Sequence, residues 1–336
     1  MLDTMNDTRI RIFEHASFPD SNVVDRNRYE VAKRLPRKFE VCAFGDGSTL
    51  ENSVKTICPR NRFDTVKKIL AFNPDIFHSR CRSRSLIIRQ FIRLRNPRCK
   101  HVFTLHGMPE LWAHKWGKIM SKEADVVTCV SNDTARQARE QYHINCKVIP
   151  EGTNINIFKP KKHHNERLQI LFVGRYVHYK HPDYVVEMAK RFPQCDFVLY
   201  GEGPLRKALT IEASKLKNVK VNRHMPYEKM PSVYIRSDIF LFPSVFEGFG
   251  MVVLEALACG LPVVCFNRAS LPYIVQHGKS GLLANNLREM KEHLGYLIED
   301  GDARRRFSKG ARERALEFDC DIIAQKWAKL FEQVAG

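Results

Sequence analysis

The chain is predicted to be an α/β protein with two Rossmann-like domains, each built on a parallel sheet. Three observations predict it. Short apolar runs of strand length alternate with helix-compatible segments along the chain, the pattern of parallel strands with helices on both faces. The length is 336 residues and 44% are hydrophobic, enough for about two ordinary cores. A polar, basic stretch containing Pro160, from Glu151 to Arg167, divides the chain near its middle and reads as an interdomain connection.

In the first half, Ile10, Ile12 and Phe13 mark a strand ending near His15, followed by a loop from Ala16 to Asp25 and a helix around Arg28 to Leu35. Phe39 to Phe44 alternates as a strand, Arg62 to Ala71 reads as a helix, and Pro74 to His78 as a short strand. A basic helix follows, then the strand Lys100 to Leu105, opening onto His106-Gly107. Asp125 to Val130 is a strand, and Ser131-Asn132-Asp133 caps a helix from Thr134 to Tyr142. Lys147 to Pro150 closes this half. The second half opens with the strand Leu168 to Val173 and Gly174-Arg175. Gly201-Glu202-Gly203-Pro204 is a tight turn after a further strand. Beyond the central stretch described below, Asn286 to Ile298, Ala303 to Glu317 and Asp321 to Val334 read as amphipathic helices.

Composition narrows the class. No run of about 18 apolar residues exists, so no membrane-spanning helix is expected. The first residues, MLDTMNDTRI, lack the apolar core of a secretory signal. Ten cysteines are scattered without Cys-x-x-Cys spacing and read as reduced thiols of a cytoplasmic protein, among them Cys42, Cys129 and Cys265 in strands. Net charge is +18, which attracts polyanions. The densest stretch, Arg80 to Lys100, carries no acid. Leu86, Ile87, Phe91 and Leu94 fall near one helical face there, with Arg89, Arg93 and Arg95 elsewhere. Three readings stand: a core-packed helix with a solvated basic face, a helix adhering to an anionic membrane surface, and a nucleic-acid contact, which no recognisable module accompanies.

The richest stretch is Ser244 to Val264, SVFEGFGMVVLEALACGLPVV. It reads as strand, glycine loop, helix, turn and strand. Such a unit places a helix N-terminus at the carboxyl edge of a parallel sheet, where backbone N–H groups and the helix dipole receive an anion. Gly248-Phe249-Gly250 allows close approach of backbone to a ligand. Glu247 in the loop can reach a sugar. Glu255, about two turns into the helix, can accept hydrogen bonds from a ribose diol. Taken alone, the two acids also read as one solvated glutamate and one helix-surface glutamate.

This stretch closely resembles the Glu-x7-Glu signature of retaining glycosyltransferases of the group 1 or family 4 type, which have the GT-B fold, two Rossmann-like domains with parallel sheets facing across a cleft. The resemblance implies that Glu247 contacts the donor sugar and Glu255 the nucleotide ribose, with Gly248, Phe249, Gly250 and Met251 lining the donor site. Gly174-Arg175 and Lys180 are similar to the family's Gly-Arg-x4-Lys diphosphate clamp, with His181 where a glycine usually follows. An arginine fork and a lysine point charge can neutralise a diphosphate leaving group, although two solvated cations are the plainer reading. Gly201 and Gly203 resemble the family's Gly-x-Gly-Pro near the nucleotide. Asn222-Arg223-His224-Met225 stands where a glycine usually precedes the base-contacting residues, leaving Met225 as the candidate base contact. TLHG resembles the strand-end histidine that approaches the donor sugar, here His106; a lone histidine is otherwise more often structural. Gly152, Asn154, Phe158 and Pro160 fill the family's Gly-Val-Asp…Phe-x-Pro pattern between domains. The implied domains are 1–151 on the acceptor side and 152–319 on the donor side, with the helix of about 320–336 packing back on the first.

The implied activity is a glycosyltransferase that moves a sugar, with retention, from a UDP- or GDP-sugar to a glycan, lipid-linked or phosphorylated acceptor. Its catalytic group is His106, Glu247, Arg175 and Lys180. No Asp-x-Asp diphosphate–metal motif is apparent, so neither a metal nor a resident cofactor is expected. The rival is a basic polyanion-binding protein that kept the fold without turnover; another GT-B activity, such as a phosphorylase or epimerase, is the third. One departure stands out: Glu14 to Arg28 contains no glycine, although the family's first loop carries a Gly-Gly pair, and Arg26 or Asn27 would have to take over through side chains.

Overall fold

The computed structural model describes residues 9–17, 23–48, 50, 54–80, 83–107, 118–161 and 165–336. The chain divides into two compact units, one running to Gly152 and resuming at Cys320–Gly336, the other spanning Thr153–Asp319.

In the first unit the described elements are β1 (Ile10–Ser17), α1 (Val23–Ala32), β2 (Phe39–Phe44), β3 (Lys55–Ile57), α2 (Arg62–Phe72), β4 (Ile76–Arg80), α3 (Ser83–Arg95), β5 (Lys100–Leu105), α4 (Lys118–Glu123), β6 (Val126–Cys129), α5 (Asn132–Tyr142) and β7 (Lys147–Val148). The strands form one sheet in the order β3-β2-β1-β4-β5-β6-β7, with every pairing parallel. Both faces are covered, as parallel sheets require. Successive residues of β1 serve opposite faces: Ile12 joins Val41, Ile76, Val102, Trp327 and Phe331, while Phe13 joins Cys42, Ile69, Phe77, Ile88 and Ile92.

The second unit holds β8 (Gln169–Val173), α6 (Pro182–Arg191), β9 (Asp196–Tyr200), α7 (Arg206–Ala213), β10 (Val219–Asn222), α8 (Met230–Tyr234), β11 (Ile239–Phe242), α9 (Met251–Ala258), β12 (Val263–Phe266), α10 (Leu271–Ile274), β13 (Gly281–Ala284), α11 (Leu287–Glu299) and α12 (Gly301–Leu316). Its six strands run β10-β9-β8-β11-β12-β13, all parallel. The central strands β11 and β12 are buried along their whole length. The last helix, α13 (Cys320–Ala335), belongs to the first unit. There Trp327 stacks on Phe331 with ring centroids 5.3 Å apart, and the Arg28 guanidinium lies 4.3 Å over the Trp327 ring.

Several expectations need correction. The first helix spans Val23–Ala32 rather than Arg28–Leu35, because Lys33 to Leu35 turn toward β2. β3 and α4 are additional elements. Glu151 to Arg167 is not a bare connection: Phe158 is fully buried, packing edge-on against Tyr227 and Tyr234, and the Asn154 side chain accepts from the N–H groups of Asn156 and Ile157. On α3 the core face is Ile88 and Ile92, while Ile87, Phe91 and Leu94 face solvent; the side chain of Leu86 lies outside the described residues. Arg89, expected on the basic face, is buried and donates to the Glu123 carbonyl. Within the glycine-free loop, residues 18–22 lie outside the described residues, as do the first eight of the chain.

Candidate functional site

The second unit's strand order reverses between β8 and β11, the first and fourth strands of its sequence. At such a switch point the connections leave in opposite directions and open a crevice at the strands' carboxyl ends. Lys180 follows β8, on a short 3-10 turn over His178–Lys180. Glu247 follows β11, in the loop before α9. Across the reversal Lys180 Nζ lies 2.6 Å from Glu247 Oε1, both side chains being largely buried. Lys180 Nζ also lies 5.2 Å from the centroid of the Phe242 ring. Val245 N donates to the Tyr179 carbonyl at 2.9 Å, tying the two loops together.

The glycine loop is held from outside. Ser270 Oγ donates to the carbonyls of Phe249 (2.6 Å) and Glu247 (3.1 Å). Phe249 is buried against Tyr273 and Phe318. Gly250 takes a φ of 107°, open to glycine at no steric cost, and is the N-cap of α9 with no side-chain capping bond. Among the described residues no side-chain oxygen caps the amides of Met251 and Val252 at the start of the helix. Met251 is half-buried in the first turn.

Glu255 sits on the same helix but is buried, with Tyr234 Oη donating to Oε2 at 2.8 Å. Neighbouring α9 side chains from Val253 to Ala258 are buried too. Burial raises its carboxyl to about 7, against the lowering contribution of the Tyr234 hydrogen bond. Glu255 is thus neither a helix-surface nor a solvated acid.

Arg175 is exposed and, among the described residues, its guanidinium has no acidic partner. Gly174 and Gly201 lie where the β8 and β9 loops pass each other. A Cβ on Gly201 would fall 1.9 Å from the Gly174 carbonyl, and one on Gly203 would fall 2.5 Å from the Tyr176 carbonyl. Met225 is half-buried in the loop after β10. The departure at His181 is larger than its sequence suggested: this residue adopts φ 45° and ψ 50°, a conformation glycine takes freely. Its ring stacks on Tyr184 at 4.3 Å.

The chain does contain Asp-x-Asp triplets, contrary to expectation, but the structure uses them elsewhere. Asp300 caps α12 by accepting from Ala303 N at 2.8 Å, and Asp321 lies 2.8 Å from Arg34 Nε.

In the first unit the strand order reverses between β1 and β4. A buried charge cluster lies there that the sequence reading did not assemble. Glu14 pairs with His78 in register, with Oε1 2.7 Å from His78 Nδ1 and Oε2 3.8 Å from Arg28 Nη2. Arg80 Nη1 donates to Asp25 at 2.7 Å. Burial raises the Glu14 carboxyl, but His78, Arg28 and Arg80 outweigh it and hold it at about 2. Polar residues at the carboxyl ends of two apolar strands were the signal available in the sequence. His106 follows β5, and its Nδ1 lies 2.9 Å from Glu151 Oε1. Burial lowers the His106 pKa while Glu151 opposes that shift. Glu151 in turn accepts from Asn27 Nδ2, so Asn27 is committed to that carboxylate and not to a phosphate.

The chain matches the family model described as glycosyl transferases group 1 over residues 154–314, and the model described as glycosyltransferase family 4 over residues 29–157. A glycosyltransferase of Methanocaldococcus jannaschii is 27% identical over 245 residues, 70% of this chain and 69% of that relative. D-inositol 3-phosphate glycosyltransferase of Corynebacterium jeikeium is 31% identical over 216 residues, 56% of this chain and 52% of that relative. Among solved structures, sucrose-phosphate synthase of Thermosynechococcus elongatus superimposes with a TM-score of 0.80 at 19% identity, covering 97% of this chain and 99% of that one. Anabaena HepE in complex with UDP-glucose gives 0.77 at 18%, covering 97% and 100%. Two Rossmann-like units of this order define the GT-B class of glycosyltransferases. The chain belongs to the group 1 glycosyltransferases.

Proposed function

We propose that the chain moves a sugar from a UDP- or GDP-sugar to a glycan, lipid-linked or phosphorylated acceptor, with retention and without a metal. The observation that carries this reading is the Lys180–Glu247 pair bridging the β8–β11 reversal, beside the open amides of α9. Arg175, Lys180 and those amides form an anion-directed set for a diphosphate. Glu247 is the hydrogen-bond acceptor for a sugar hydroxyl, and Glu255 for the ribose diol. The bond from the anomeric carbon to the diphosphate breaks as the bond to the acceptor oxygen forms on the same face. The acceptor's proton passes to the departing phosphate oxygen, so no protein nucleophile is required. HepE is described in complex with UDP and with UDP-glucose, which favours a uridine donor over guanosine.

A thermal-shift panel of UDP, GDP, UDP-glucose and GDP-mannose tests the donor, since a ligand of the folded state raises its melting temperature. Anomeric NMR of the transfer product tests retention. Turnover should survive EDTA; strict dependence on a divalent metal would overturn the metal-free mechanism. Binding of polyanions with no turnover toward any acceptor would favour the rival reading.

A further inference from the structure

Helix α3 has two apolar faces. One, with Ile88 and Ile92, packs into the first unit's core beside Ile69 of α2. The other carries Ile87, Phe91 and Leu94, which are 59%, 45% and 82% exposed. Their spacing of four and three residues puts them in one stripe, about 110° round the helix from the core face. On the same wheel exposed Arg95 borders that stripe on one side and exposed Gln90 on the other, with exposed Arg93 beyond it. A globular helix normally leaves this side polar, and a stripe of large exposed apolar groups marks an interaction surface.

We propose that this face of α3 docks on an anionic lipid surface. An apolar stripe with arginines to either side suits the plane of a headgroup layer, with the aliphatic and aromatic groups entering the acyl boundary and the guanidinium groups reaching the phosphates. Charge complementarity selects this occupant. The run from Arg80 to Lys100 contains no acid. Among the described residues, Asp64 is paired with Lys68 at 3.0 Å and Glu123 with Arg93 at 3.4 Å. A second copy of the chain presenting the same face would set arginines against arginines, which opposes self-association. The inference does not depend on the transfer chemistry proposed above.

Co-sedimentation of the full chain with phosphatidylcholine vesicles, with and without phosphatidylglycerol, tests it. The wild-type chain should pellet only with the phosphatidylglycerol vesicles and should be released by salt. The variant Ile87→Ser/Phe91→Ser/Leu94→Ser should lose binding by about tenfold or more, with an unchanged melting temperature showing that it is folded. Arg93→Gln/Arg95→Gln should weaken binding while leaving the apolar stripe intact. Wild-type chain remaining in the supernatant with both vesicles would overturn the proposal. So would equal binding by the triple variant, or a stripe-dependent dimer in sedimentation velocity without vesicle binding.

Discussion

The Glu151 carboxylate lies 2.9 Å from His106 Nδ1, joining the residue after β5 to the residue before Gly152, where the first run of the first unit ends. A carboxylate at Nδ1 favours the tautomer with its proton there. Nε2 is then an acceptor, and it has no hydrogen-bond partner among the described residues. Under the proposed function Glu151 would position a histidine that receives a sugar hydroxyl. Glu151→Gln should lower kcat by about a hundredfold, because the ring loses its orientation, with donor KM little changed. An equal fall in His106→Ala and in the double variant would show that the two act as a unit; independent, additive losses would separate them.

Breaking the Lys180–Glu247 pair should give opposite binding phenotypes. Glu247→Ala leaves the lysine without its acid, so UDP should bind as well or better while transfer is lost. Lys180→Ala leaves Glu247 facing the diphosphate, and UDP affinity should fall by about tenfold or more. Calorimetric titration with UDP checks both; tighter UDP binding by Lys180→Ala would contradict the arrangement.

Glu255 should make the second unit less stable as pH rises. Its carboxyl holds a proton in the folded chain up to about 7, whereas the unfolded carboxyl releases it from about 4.5. The contribution is therefore complete below pH 4.5 and lost between 4.5 and 7, a difference of about 3 kcal/mol. Glu255→Gln, which is neutral throughout, should be the more stable chain at pH 8 and no more stable at pH 4.5. Denaturant midpoints at the two values check this.

Acid should act on the first unit in the opposite sense. Burial pushes His78 down to about 4 and His101 to about 3, so both stay neutral when the unfolded chain protonates near 6.5. Their contribution is intact above 6.5 and lost as pH falls toward 4. Glu14 and Glu151, held at about 2, add a loss between 4.5 and 2. In the Glu255→Gln background, which removes the opposing trend, Tm should start to fall near pH 6.5. A Tm constant down to pH 5 would show that these histidines ionise normally in the fold.

Gly201→Ala should cost about 3 kcal/mol, because the new methyl would meet the Gly174 carbonyl and force the β8 and β9 loops apart. Nucleotide binding should weaken with it, since Gly174 leads directly into Arg175. Unchanged stability by chemical denaturation would show that the loops move apart at no cost.

Much of this arrangement was legible because local rules carried it. The apolar runs of β11 and β12 and the glycines before α9 announce themselves within a dozen residues. What escaped needed partners far along the chain. Glu255 meets Tyr234 across 21 residues and Lys180 meets Glu247 across 67. A sequence reading could name those side chains without telling a buried acid from an open one. On α3, helical periodicity found an apolar stripe and left open whether it packs into the core or adheres to a membrane surface. It could not choose between Ile87-Phe91-Leu94 and Ile88-Ile92, because only the sheet beneath decides which face is covered. β3 has three residues, too few for a periodic signal.

Trp327 and Phe331 of α13 complete the packing around Ile12, Val41 and Ile76. During synthesis that packing has to wait until α13 has left the ribosome. Thr153–Asp319 is continuous and can fold beforehand. A nonsense mutation ahead of the α13 codons would therefore spoil the packing of β1, β2 and β4, which would stay exposed to chaperones and proteases.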